Sequence, residues 1–274
     1  MAFLPVQIGD SILRIGSKAM PVELVTIPCL SDNYAYLVHD SDSGATAVVD
    51  VPEAGPILAA LSTRGWRLTD IWLTHHHSDH IDGVAELRAA TGAKVTGAAA
   101  DADRLPPLDL ALPEEGAFTL GRHGVTTFAV PGHTVGHIAF HMAGAGLVFT
   151  GDSLMAAGCG RLFEGTPAQM WASLSRLAAL PGGTLVCSGH EYTASNIRFA
   201  LSLEPGNGAL ILRAERVAAA RKEGRPTVPV SLSEELETNP FLRAGRAGLK
   251  AAIGLPHATD EEAFAEIRGR KDRF

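Results

Sequence analysis

Residues Thr74-His75-His76-His77-Ser78-Asp79-His80 put five possible metal ligands into six positions, directly after the apolar run Ile71-Trp72-Leu73. The apolar run reads as a buried strand, and the ligands sit where it ends. Along an extended backbone alternate side chains share a face, so His75 and His77 point together and His76 points away. Asp79 and His80 form a second group. The spacing predicts two adjacent ions, one held by His75 and His77, the other by Asp79 and His80. Imidazole suits zinc and iron, and carboxylate adds affinity for harder ions such as manganese. A purification tag is homopolymeric and terminal; this stretch is internal, mixed with Asp and framed by a strand.

The 274 residues allow one large domain, or one domain and a smaller one. At 46% hydrophobic residues the chain can bury a substantial core, and 29 Gly and 16 Pro imply many turns. Net charge is −7 with Lys and Arg scattered, so no nucleic-acid surface is expected. Cys29, Cys159 and Cys187 lie far apart with no CxxC pair. That set argues against a disulfide framework and fits a reducing, cytoplasmic compartment. Residues 1–20 read as an N-terminal extension. Gln7, Gly9 and Asp10 interrupt its apolar residues and it lacks a basic leading region, unlike a secretory signal. Arg14 and Lys18 leave mitochondrial targeting open as a lesser reading. No stretch approaches the roughly 20 apolar residues that span a membrane.

Short β-rich runs at 22–27, 34–39 and 47–50 predict three strands, the third ending in Asp50. Helical spacing covers 54–64, and Gly65 stops it. The strand at 71–73 delivers the ligand motif. A helix follows at 82–91, then a strand at 94–96. Residues 100–115 carry three prolines and predict an irregular segment with one helical turn. Strands resume at 125–130, 138–142 and 147–150. A helix at 167–180 has Pro167 in its first turn, where a missing N–H costs little. A last strand is expected at 184–187. Beyond it, 191–203, 209–222, 233–237, 241–249 and 261–271 all read as helical. Strands followed by a run of helices predict a mixed α/β domain over 1–190 and a small all-helical domain over 191–274.

Three further strand ends carry candidate ligands. His133 follows the strand at 125–130, Asp152 follows 147–150, and His190 follows 184–187. Each stands next to a Gly that lets backbones approach closely. Functional groups gather on loops at the ends of a rigid sheet. With the first motif they make five His and two Asp on four strand ends.

Thr-His-x-His-x-Asp-His followed by single His, Asp and His resembles the metallo-β-lactamase superfamily. The resemblance implies a four-layer αββα sandwich, of α/β (α+β) class, with a binuclear site at one edge of its sheets. By matching positions His75, His77 and His133 would hold one ion, Asp79, His80 and His190 the other, and Asp152 would bridge them. Two divalent ions per chain follow, zinc first, with iron or manganese as alternatives. The second half resembles one branch, glyoxalase II (hydroxyacylglutathione hydrolase). The matching segments are Cys159-Gly160-Arg161-Leu162-Phe163-Glu164-Gly165-Thr166, Gly189-His190-Glu191-Tyr192-Thr193, Asn239-Pro240-Phe241-Leu242-Arg243 and the terminal Arg268-Gly269-Arg270-Lys271-Asp272-Arg273-Phe274. The match runs from about residue 22 to the end.

That branch implies a glutathione thioester as substrate, with Arg161, Phe163, Tyr192, Arg268 and Lys271 lining its pocket. Glutathione bears two carboxylates, to which Arg and Lys supply charge-assisted hydrogen bonds. Taken alone, Arg268 and Lys271 read equally as favourable charges at a helix C-terminus. Phe163 departs from the Tyr that many members carry, and one hydroxyl contact goes with it. The implied reaction is hydrolysis of S-D-lactoylglutathione to D-lactate and glutathione, the second step of methylglyoxal detoxification. Two cations would lower the pKa of a bridging water from about 15.7 toward roughly 7, and Asp79 and Asp152 would orient the attacking hydroxide. A thiolate leaves without strong protonation, its conjugate acid having a pKa of about 8.5, so no dedicated general acid is needed.

Two rivals remain at this level. A glutathione-dependent persulfide dioxygenase would use one iron, and the complete second ligand set speaks against it. A non-catalytic binding protein on the same fold would have lost ligands, and none is missing. A monomer is expected. His76 should brace its loop; His137 reads as a partner of the ligands or as core. His39, His123, His141 and His257 read as structural or surface residues. Asp50 could accept a hydrogen bond from a ligand histidine, and Cys187 should be buried and inert.

Overall fold

The computed structural model describes residues 12–15 and 22–274. Apart from 12–15, the N-terminal extension expected over 1–20, with its targeting reading, lies outside the described residues. The first half runs β1 Ile12–Ile15, β2 Val22–Cys29, β3 Asn33–Asp40, β4 Thr46–Val49, α1 Ala54–Arg64, β5 Asp70–Trp72, α2 Ser78–Ile81, α3 Val84–Thr91, β6 Lys94–Ala98 and β7 Leu110–Leu112. These strands form one sheet in sequence order, antiparallel from β1 to β4 and parallel from β4 to β7. The chain continues through β8 Ala117–Leu120, β9 His123–Ala129, β10 Ile138–Met142, β11 Leu147–Gly151, the small hairpin of β12 Leu154–Met155 and β13 Gly158–Cys159, α4 Pro167–Ala178 and β14 Leu185–Ser188. It ends in α5 Thr193–Leu203, α6 Gly208–Lys222, β15 Val230–Ser231, α7 Leu232–Thr238, α8 Ala247–Ala252 and α9 Asp260–Asp272. The second sheet has the order β15-β14-β11-β10-β9-β8.

Alternation along β3 shows how the layers stack. Tyr34, Tyr36 and Val38 join a core with Phe140, Val148 and Phe149 of the second sheet. Ala35 and Leu37 face the other way, into a core with Ile57 and Leu61 of α1 and Leu87 of α3. A strand buried on both faces therefore lies between a helical layer and a second sheet. Helix α4 closes the far side with Met170, Leu174 and Leu177, giving the four-layer αββα sandwich followed by helices. Trp72 is fully buried between the sheets, edge-on to Phe118 and tilted on Phe140. Burying each such side chain stabilises the fold by about 1.5–3 kcal/mol.

The local signals mostly act as expected. Helix α1 spans the expected residues, and Gly65 ends it at φ 66°. Thr166 and Gln169 form a reciprocal capping box around Pro167 at the start of α4. Several elements differ. The helix expected at 82–91 is α3, ended by Gly92, and a short helix not expected, α2, precedes it from Ser78. The segment 100–115 contains β7, and β8 was not foreseen. The helix expected at 241–249 is instead a turn followed by α8. Asn239 Oδ1 accepts the Phe241 N–H at 3.0 Å and closes that turn, while Phe241 is anchored in the core. The strand at 185–188 is not the last: β15 pairs antiparallel with it.

At one rim of the sandwich, loops from both sheets are tied by backbone bonds. Tyr34 N–H donates to Gly189 O at 2.8 Å, Ile138 N–H to Thr74 O at 2.9 Å, and Glu191 N–H to Asp32 O at 2.8 Å. The functional groups hang from this rim.

Candidate metal centre and substrate cleft

Four strand ends converge there. The loop after β5 brings His75, His77, Asp79 and His80; His133 follows β9, Asp152 follows β11 and His190 follows β14. His75 Nε2 lies 3.2 Å from His77 Nδ1, which lies 3.0 Å from His133 Nε2. Asp79, His80 and His190 form the second group: His80 Nε2 is 3.3 Å from His190 Nε2, which is 3.4 Å from Asp79 Oδ2. Asp152 stands between them. Its Oδ2 lies 3.4 Å from His133 Nε2 and 3.2 Å from His190 Nε2, and its Oδ1 lies 3.4 Å from His80 Nε2.

The outward-facing ring nitrogens fix which atoms are free. His80 Nδ1 donates to Asp50 Oδ2 at 2.8 Å, His190 Nδ1 to Asp32 Oδ1 at 2.9 Å, and His133 Nδ1 to Arg161 O at 2.7 Å. Thr74 Oγ1 gives its proton to Asp50 Oδ2 at 2.8 Å, so it accepts from His75 Nδ1 at 3.0 Å. Each of these four rings keeps a bare Nε2 aimed inward when neutral. Asp50 thus secures both groups, His80 directly and His75 through Thr74. It does so from a left-handed backbone, φ 57°, an unfavourable conformation for a non-glycine residue that the surrounding structure must hold. Although Asp50, His75 and His80 also lie close together, Asp50 is already engaged by His80 and by the Thr74 N–H and hydroxyl, which makes it a support rather than a ligand.

Such a donor set fits two divalent cations. When neutral, His75, His80, His133 and His190 turn unprotonated Nε2 atoms toward one another, and Asp152 Oδ1 is buried without a hydrogen bond. Burial lowers the His75 and His133 pKa values, keeping these rings neutral, the form that ligates. Burial opposes charge on His80 as well, but the Asp152 and Asp50 carboxylates outweigh it and raise its pKa well above the usual value. Burial would raise Asp152, yet the His80 and His190 imidazoles hold it well below the carboxylate range. The pocket therefore favours positive charge beside an ionised Asp152.

Close packing needs glycine at two points. A Cβ on Gly151, which has φ 47°, would sit 2.5 Å from Thr74 Oγ1; one on Gly189 would sit 2.5 Å from Asp152 Oδ1. His76 faces away, bonding Asp101 Oδ2 through Nδ1 at 2.9 Å. His137 is fully buried, stacks on His75 at 4.6 Å and accepts the Asp152 N–H through Nε2 at 3.1 Å. His39, His123 and His141 are buried away from the ligand groups and His257 is exposed. Burial raises the thiol pKa of Cys187, and pushes Cys159 up to about 11 despite the nearby Arg268 cation.

A cleft of about 430 Å³ opens beside the two donor groups, and Arg161, Phe163, Tyr192, Arg268 and Lys271 all line it. Tyr192 stacks on His190 at 4.7 Å, while Phe163 stands edge-on to His77 and His133. Arg268 is buried and donates to Cys159 O at 2.9 Å. Burial, then the Arg268 and Arg198 charges, lower the Lys271 pKa. Sequence reasoning missed Met155 and Ser195 in this cleft. It also missed Asp32 on His190, and Asn33, whose Nδ2 donates to Asp79 Oδ2 at 3.0 Å. Their only signal was the polar cluster Ser31-Asp32-Asn33 between two strands, which reads as a turn.

Residues 31–190 match the metallo-beta-lactamase superfamily model, and residues 191–274 match the model described as "Hydroxyacylglutathione hydrolase C-terminus". A protein of Cereibacter sphaeroides named hydroxyacylglutathione hydrolase is 69% identical over 255 residues, 93% of this chain and 100% of the relative. One of the same name from Ruegeria pomeroyi is 63% identical over the same shares of both chains. Among solved structures, ETHE1 from Myxococcus xanthus superposes with a TM-score of 0.63 at 24% identity, over 90% of this chain and 89% of that one, a likeness of fold alone.

Proposed function

We propose a thioester hydrolysis for this chain, because it belongs to the hydroxyacylglutathione hydrolase family of the metallo-β-lactamase superfamily. The substrate is an S-2-hydroxyacylglutathione, S-D-lactoylglutathione first, and the products are a 2-hydroxy acid and glutathione. One observation carries the reading to residues: a cleft lined by three cations opens directly onto the converging His and Asp groups.

In this proposal His75, His77 and His133 would hold one divalent ion and Asp79, His80 and His190 the other, with Asp152 standing between the two groups. When bound, such ions would supply a low-pKa water and polarise the thioester carbonyl. Zinc is our first choice of metal, since five imidazoles and two carboxylates suit it, with iron or manganese as the alternatives. Arg161, Arg268 and Lys271 bind the two carboxylates of glutathione. Tyr192 and Phe163 wall the cleft, which points the thioester toward the donor groups. Asp79 and Asp152 accept hydrogen bonds from the attacking water and aim it at the carbonyl carbon. The water gives up a proton to solvent as its oxygen forms the C–O bond; the C–S bond then breaks, and the sulfur leaves as a thiolate that takes up a proton from solvent. That group needs no strong acid, since its conjugate acid has a pKa of about 8.5; neither Cys159 nor Cys187 has a base beside it.

Sulfur oxidation at one iron is not favoured, since the named relatives are hydrolases and the second donor group is complete. The same proposal divides the chain after His190, where the two family matches meet, and takes it as a cytoplasmic monomer. Three unpaired, buried cysteines support the cytoplasmic reading.

The test is hydrolysis of S-D-lactoylglutathione by the purified protein, with and without a strong chelator. Fast, chelator-sensitive cleavage is expected. No cleavage by protein shown to hold two ions would refute the substrate assignment.

A further inference from the structure

His137 belongs to no donor group, yet it touches His75 and the backbone of Asp152. Its ring lies parallel to His75, 14° between planes and 4.6 Å between centroids. Its Nε2 accepts the backbone N–H of Asp152 at 3.1 Å. An N–H can only donate, so Nε2 is the bare nitrogen and the ring proton sits on Nδ1. The contact is tight: a Cβ on Gly151, the residue before Asp152, would come within 2.9 Å of His137 Nε2. The ring is completely buried, so no water can take over for Asp152 N–H if the acceptor is lost. Asp152 is the carboxylate between the two groups, and its orientation depends on a backbone that turns through φ 47° at Gly151. Core packing alone would need only an apolar ring of this size. It would not need a lone pair aimed at the one amide that precedes the shared carboxylate.

We propose that His137 is a positioning residue for the metal centre, fixing the Asp152 backbone through its Nε2 lone pair and the His75 ring by stacking. This rests on the reading of His75 and Asp152 as metal ligands. Partners that orient ligands typically change metal affinity about 10–100-fold when lost.

Zn²⁺ affinity read by competition with a chromophoric chelator tests it without any substrate. The full chain is compared as wild type, His137→Met and His137→Gln. Met has the reach of Gln but offers no amide oxygen to the Asp152 N–H. His137→Met should bind Zn²⁺ about 10–100-fold more weakly, with the metal-free protein still unfolding cooperatively, at a temperature lowered by the stranded Asp152 N–H. His137→Gln should recover most of that loss. Should the Met variant fail to fold, His137→Phe, which keeps the stacked ring, replaces it. Wild-type affinity in the variant without an acceptor, equal loss in His137→Gln, or collapse of both Met and Phe variants would overturn the proposal in favour of a packing role. Wild-type protein that holds two Zn²⁺ ions but leaves the thioester intact would sink the proposed reaction and leave this comparison standing.

Discussion

Asp50 accepts the Nδ1 proton of His80 at 2.8 Å while also holding Thr74, which in turn holds His75. One carboxylate thus orients a ring in each donor group. Asp50→Asn keeps the shape but weakens the acceptor. We expect metal affinity to fall about 10–100-fold, with hydrolysis falling alongside, as read by metal content after dialysis against a graded chelator series. Full retention of both ions would contradict the role assigned to Asp50.

His77→Ala and Asp152→Ala each remove one donor from the proposed ion sites while leaving the cleft in place. Both should lose hydrolysis by several orders of magnitude and keep the wild-type circular dichroism spectrum. Turnover at the wild-type rate in either would remove that residue from the site.

Lys271 gives a pH signature. Burial, reinforced by Arg268 and Arg198, lowers its pKa below the usual lysine value. The ammonium is present below that shifted pKa and disappears as pH rises through it, so KM should climb at a pH below the usual 10.5. Lys271→Arg keeps its charge throughout and should show no such rise. Lys271→Ala should raise KM roughly tenfold or more at neutral pH, the size of one charge-assisted hydrogen bond, with kcat changed far less. Steady-state profiles corrected for spontaneous thioester hydrolysis decide it.

The buried pair of Arg213 and Glu235 makes a stability prediction. Glu235 Oε2 also accepts the Ala157 N–H at 2.9 Å and the Asn239 side-chain N–H at 2.8 Å, so it anchors the hairpin on the cleft floor. Arg213→Met strands a buried carboxylate and should cost about 3–5 kcal/mol, seen as a lower midpoint in urea. Adding Glu235→Gln removes the bare charge and should restore part of the loss. A double variant no more stable than Arg213→Met would show that the charge is not what costs.

The sequence made the donor groups legible because a run such as His75 to His80 has no cheap structural use at the end of an apolar strand. His133, Asp152 and His190, each read singly as an ordinary core or loop residue, were legible only beside that run, as further imidazoles and a carboxylate next to a Gly at a strand end. What escaped were contacts made by ordinary residues brought close only by the fold. Asp32 and Asn33 look like any turn, yet they touch His190 and Asp79 across more than 40 residues of chain. Short elements escaped too. Val230 and Ser231 give too few residues for an alternating pattern, and their pairing with Leu185 and Val186 is set by distant packing. Helix 241–249 failed because the Asn239 side chain offers the backbone a competing turn, which helical spacing cannot register.

The antiparallel register of Val230 and Ser231 on Val186 and Leu185 has a consequence for dissecting the chain. A fragment ending near residue 190 keeps every proposed metal ligand but loses its outermost strand. The backbone of Leu185–Ser188 would then be a bare sheet edge carrying Val186 and Cys187, both buried in the intact protein. Such an edge recruits strands from other molecules. Expressed alone, the ligand-bearing portion should therefore self-associate, and grafting a charged residue onto that edge would be the remedy to try.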